Sequence, residues 1–185
     1  MFDVFNINSN GNFHHLNAIL RHFLKKDPQK IYELLFFETA EFKTKKKRTI
    51  KLPLLFKTLD YLHYSEVMNE VLHLLFFDCN NDHIEKPTNF NRASRFSSLI
   101  KYGFIEKIFA LIGNFETCQS AVEFLSRIIE EGEECSSLHI LLQPLKTNSS
   151  LIVILADCIK DWSIKKAFDE RDAGLHLLLT LLKLK

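Results

Sequence analysis

Between Lys57 and Phe77 the apolar residues recur in steps of three and four, a spacing that gathers them on one side of an α-helix and scatters them on a strand. Before His63 and Tyr64 the series is Leu52, Leu54, Leu55, Phe56, Leu59 and Leu62. After them it is Val67, Met68, Val71, Leu72, Leu74, Leu75, Phe76 and Phe77. Ser65, with Glu66 in the first turn and Met68 three residues on, reads as the N-cap of the second series. The expectation is a pair of antiparallel helices with Met68 on the inner face.

The same period runs through the rest of the chain, and composition agrees with it. Five Gly and four Pro in 185 residues leave few of the residues that strand-rich chains use to turn, whereas leucine and 17 phenylalanines supply helix faces. An all-α class follows. Phe13 to Lys25 places Phe13, Leu16, Ile19, Leu20, Phe23 and Leu24 on one stripe, and Asp27-Pro28 ends that helix and starts Gln29 to Phe37. Further helical patterns cover Phe96 to Lys101, Phe104 to Ile112 after the Tyr102-Gly103 stop, Gln119 to Glu130, Ser136 to Leu145, Ser150 to Trp162 and Ala173 to Leu184. Pro144 ends or kinks the fourth of these. Asn148-Ser149-Ser150 reads as a helix cap.

Helix pairs of about 40 residues, beginning near residues 13, 50, 96 and 136, have the period of HEAT and armadillo arrays, in which each pair covers its neighbour's apolar face. The expected architecture is therefore an α-solenoid: an arm over residues 1–12 and one helical repeat domain over 13–185. A chain of this length buries roughly two-thirds of its unfolded surface, enough for a core without disulfides or metal.

Charge is balanced, 24 basic against 23 acidic residues, so no global field favours nucleic acid or a membrane surface. The exception is Lys43 to Arg48, KTKKKR, which reads as a solvated loop between helices. Without interleaved aromatics it is a weak nucleic-acid signal, and as a nuclear localisation signal it is the other reading. Glu130 to Glu134, EEGEE, reads as a solvated helix end with Gly132 as cap. Met1 to Asn12 has neither a basic start nor an apolar run, and no apolar run reaches the ~20 residues that span a bilayer, so neither a secretory leader nor membrane insertion is expected.

Chemistry-bearing patterns are sparse. Asp78, Asn80 and Asp82 open like a calcium loop, but His83 stands where glycine is needed and Asn89 where glutamate is needed. His14, His15 and His22 share a helix face without a carboxylate or thiol beside them, which argues against a metal site. Cys79, Cys118, Cys135 and Cys158 are scattered without a CxxC pair and read as structural thiols in a reducing compartment. No nucleophile elbow, phosphate loop or HExxH occurs. A non-catalytic protein without a cofactor is expected.

Four stretches resemble the SAPS family, the phosphatase-associated proteins known in animals as regulatory subunits of protein phosphatase 6. They are Leu54 to Leu62 with Ser65, Met68 and Leu72 to Leu75; the segment SSLIKYGFIEKIFALIG; QSAVEFLSRIIE, with Gln119, Ser120, Ala121, Ile128 and Ile129; and AGLHLLLTLLKLK. The resemblance begins at about residue 50. It implies a regulatory and scaffold subunit, in the cytoplasm or nucleus, that binds the catalytic subunit of a phosphatase 6 type serine/threonine phosphatase and directs it to substrates. Members of that family are much longer, so the resemblance also implies that the chain corresponds to the front part of one. The alternative is a helical-repeat scaffold with another partner, such as those of phosphatase 4. The partner-binding residues are left open.

Overall fold

Helix starts and stops in the chain are set largely by local hydrogen bonds. The computed structural model describes residues 13–43, 49–76, 91–132, 135 and 137–183. The chain divides into two compact units, Met1–Tyr102 and Gly103–Lys185. The expected arm, the calcium-like stretch 78–90, Cys79 and residues 44–48 of the basic run lie outside the described residues.

The first unit opens with α1 (Phe13–Lys26) and α2 (Pro28–Tyr32). Asp27 caps α2 by accepting the Lys30 N–H at 3.2 Å, and Pro28 fills the first position, where no N–H is needed. Of the stripe expected on α1, Leu20 and Leu24 are buried while Ile19 and Phe23 are exposed. The difference is one of face: Asn17 and Arg21 share the side of Leu20 and Leu24, and both bond the helix beneath. Asn17 donates to the Glu66 carbonyl at 3.0 Å, and Arg21 pairs with Glu70 at 3.0 Å.

α2 runs into a π-turn, Glu33–Phe37, closed by the Glu38 N–H on the Glu33 carbonyl at 3.0 Å. There the chain departs from expectation. In place of a helix around residue 50 it forms a two-stranded antiparallel ribbon, β1 (Thr39–Lys43) and β2 (Thr49–Pro53), with Thr39 opposite Pro53 and Lys43 opposite Thr49. The basic run thus joins two strands, not two helices.

Pro53 lacks the N–H a helix would use and ends the ribbon. Leu54–Lys57 and Leu59–Tyr61 follow as two 3₁₀ turns, so the expected helix pair has only its second arm, α3 (Ser65–Phe76). The recurrence near residue 50 is accordingly not a helix pair. Burial nevertheless follows the pattern: Leu55, Phe56, Leu59, Leu62, Val67, Met68, Val71, Leu72, Leu74 and Leu75 are all inside. Ser65 lies within the first turn and is not its cap, because the chain arrives already curled and the Tyr64 carbonyl takes the N–H groups of Val67 and Met68, each at 3.0 Å. α4 (Arg92–Lys101), capped by Asn91, packs on α3 and the π-turn and completes this unit.

The second unit contains α5 (Phe104–Ile112), α6 (Cys118–Glu131), the short α7 (Leu138–Leu141) and α8 (Gln143–Thr147), α9 (Ser149–Ile164) and α10 (Phe168–Lys183). Gly103 precedes α5 with φ +75°, a left-handed conformation in which a Cβ would crowd the backbone. Gly132 caps α6 as expected, but for want of space: a Cβ there would lie 2.7 Å from the Ile128 carbonyl oxygen and 2.8 Å from the Leu138 side chain. Pro144 enters at the start of α8 and separates it from α7, and Asn148 caps α9 through the Ser150 N–H at 3.2 Å.

α5 packs on α6 and α9 on α10, with α5 also against α9 and α6 against α10. Phe104, Ile105, Ile108, Phe124, Leu125, Ile128, Leu155 and Leu177 fill the space between them. α9 turns into α10 through a Schellman arrangement. Ala167 N–H bonds the Trp162 carbonyl at 2.9 Å and Lys166 N–H the Ser163 carbonyl at 3.3 Å, with Lys166 at φ 59°, the position glycine usually holds. Among the described residues the protein is thus mostly helical, with a single two-stranded ribbon.

Candidate functional site

The π-turn and α4 form a groove between them. A π-turn carries one residue more per turn than an α-helix, so side chains and carbonyls beyond it are redirected. Here it leaves the Phe36 carbonyl facing α4, where the Ser98 hydroxyl donates to it at 2.6 Å. Arg95 fixes the same junction from inside: its guanidinium lies 4.0 Å from the centre of the Tyr32 ring and 5.7 Å from that of Phe36. A desolvated guanidinium over aromatic faces contributes about 2 kcal/mol. At the other end Arg92 donates to the Phe76 carbonyl at 2.7 Å and ties the start of α4 to the end of α3.

The outward side of this junction is an open groove of about 540 Å³, whose lining includes Phe37, Ser94, Ser97, Ser98, Lys101 and Tyr102. Asn91 Oδ1 accepts the Ser94 N–H at 2.8 Å, and the Lys101 ammonium stands 5.4 Å from the centre of the Tyr102 ring. Hydroxyls, two aromatic rings and a single cation suit an extended segment that offers backbone carbonyls and an acidic group. Nothing in the lining supplies a nucleophile with an adjacent base.

The residues singled out in the sequence do not converge. His15 and His22 are exposed on α1. Among the described residues no group of three or more His, Cys, Asp or Glu is placed to hold a metal ion. Cys118 is buried at the start of α6, with its thiol donating to the Phe115 carbonyl at 3.2 Å, and Cys158 on α9 lies 3.9 Å from the Ile112 carbonyl. Burial pushes both thiols above their ordinary range, helped at Cys118 by the Glu170 carboxylate and at Cys158 by Asp161 and Asp157. A raised pKa keeps them as thiols near neutral pH, the opposite of an activated nucleophile.

The groove itself was not singled out in the sequence. Its signal was Ser94, Ser97 and Ser98 on one side of a helix whose opposite side carries Phe96 and Leu99, a polar face like that of any surface helix. The π-turn adds Phe37 to it, and the rest of the lining comes from α4 and its two caps.

No described helix is long and apolar enough to cross a membrane. Comparison with known proteins finds no match: no family model, no curated protein and no solved structure.

Proposed function

We propose that the chain is a non-catalytic binding module that grips a segment of another protein in the groove between the π-turn and α4. The observation that carries this reading is the form of that groove: open, lined by Ser94, Ser97 and Lys101, and braced from below by the buried Arg95. In the finer form of the proposal the helix pairs stack as in a HEAT or armadillo array. The adjacency of α5 with α9 and of α6 with α10, pair on pair, supports that arrangement in the second unit.

The partner we propose is the catalytic subunit of a phosphatase 6 type serine/threonine phosphatase, on the strength of the resemblance at Leu54 to Leu75 and in the stretches after it. Its own metals would perform the hydrolysis, and the role of this chain would be to position it. The test is direct binding of the purified full chain to purified phosphatase 6 and phosphatase 4 catalytic subunits. Binding to phosphatase 6, weakened at least tenfold by Ser97→Arg in the exposed groove wall, is the expected result. Binding to phosphatase 4 alone favours the alternative scaffold, no binding to either removes the phosphatase reading, and binding indifferent to Ser97→Arg removes the groove.

A further inference from the structure

Helix α10 is apolar on two sides. Gly174, Leu177 and Leu181 lie on the buried side, and a Cβ at Gly174 would stand 2.6 Å from the Trp162 ring, so side chains of α9 lie directly against the α10 backbone there. Phe168, Leu175, Leu179 and Leu182 are 52, 41, 58 and 66% exposed. At 100° per residue these four fall within an arc of about 60°, some 140° around the helix from the buried side. A helix apolar on both sides is ordinarily an interior element. The steps of seven, four and three residues are those of a coiled-coil seam.

We infer that this outward stripe pairs α10 with α10 of a second copy of the chain, antiparallel, about a twofold axis at Leu175. Two features select a second copy over an unrelated partner. Phe168 and Leu182 each lie seven residues from Leu175, so the helix turned end for end presents the same three side chains in the same places, as an isologous contact requires. Charge follows the same symmetry. Asp169 lies in the first turn and Lys183 in the last. Antiparallel pairing sets acidic end against basic end and opposes the two helix dipoles, whereas parallel pairing sets like against like. Arg171, 2.6 Å from Asp172 and 5.0 Å from the centre of the Phe168 ring, gives the stripe a polar rim.

The stripe runs about 21 Å, a small interface, so association is expected at micromolar concentration. Sedimentation velocity of the full chain between about 1 and 100 μM should show the mass double with concentration. Leu175→Asp, at an exposed position outside the core where the axis sets the two carboxylates face to face, should keep the wild-type circular dichroism and remain monomeric throughout. On mild oxidation Leu175→Cys should form a reducible dimer faster than Val153→Cys, a control on α9 that is more exposed. Leu182→Cys should crosslink poorly with itself and efficiently with Phe168→Cys. A monomer at every concentration, a Leu175→Asp chain that dimerises like wild type, or a Leu182→Cys chain that crosslinks readily with itself would each overturn the pairing. None of these outcomes depends on phosphatase binding.

Discussion

Two positions in the α9–α10 hairpin show how one backbone angle or one missing Cβ decides stability. Lys166 occupies the left-handed position of the Schellman turn at φ 59°. An L-residue with a side chain loses about 1 kcal/mol there, so Lys166→Gly should raise stability by about 0.5–1 kcal/mol and shift the melting temperature upward. Gly174 is the reverse case. Alanine would gain up to about 1 kcal/mol in helix propensity but must push the Trp162 ring away, so Gly174→Ala should lower stability by about 1–2 kcal/mol in the same measurement.

Cys118 gives a pH signature. With its pKa raised in the folded state, the native chain holds the thiol proton more tightly than the unfolded chain. The contribution is therefore fully present below the unfolded thiol pKa and is lost as pH rises through the folded one. Iodoacetamide at pH 8 should label Cys118 only slowly until denaturant is added, as peptide mass spectrometry would show. Neither the turn at Lys166 nor the close approach at Gly174 was legible in the sequence. A lysine in place of the usual glycine hides a helix stop, and a glycine inside Ala173 to Leu184 resembles a mild flaw in a helix until its neighbour is known.

At the scale of elements the apolar period was a sound guide wherever helices are flanked by ordinary caps. Asp27-Pro28, Asn148, Pro144 and the Tyr102-Gly103 stop each fall at an observed boundary. Met68, placed on the inner face by its spacing, is buried against the core of the first unit. Met68→Asp should cost about 3 kcal/mol or more through a buried unpaired charge, and urea denaturation measures it.

Residues 39–62 defeated the pattern for a physical reason. Ile50 and Leu52 alternate as in a strand while Leu52, Leu55, Phe56, Leu59 and Leu62 step as in a helix, and a leucine shared by both series satisfies either. Pro53 decides between them, since it can end a ribbon but cannot sit inside a helix. The π-turn left no mark at all: Glu33 to Phe37 reads as ordinary helix, and the groove beside it went unseen.

For the whole molecule the relevant quantity is the near cancellation of 24 basic and 23 acidic residues. A chain with so small a net charge has little long-range field, and the α10 stripe is apolar at its centre. Raising salt from about 50 to 500 mM, which shortens the screening length from roughly 14 to 4 Å, should therefore change the self-association constant by less than about tenfold. Sedimentation in the two buffers tests this, and a steep fall would point to an ionic contact.

The outward face of α10 also bears on what the groove can hold. Two chains joined through it carry two grooves, so a ligand bearing the recognised segment twice meets its second site at the high local concentration set by a tether. Such a ligand would leave far more slowly than a single segment, and a modest grip at each groove would become a durable one through valence alone.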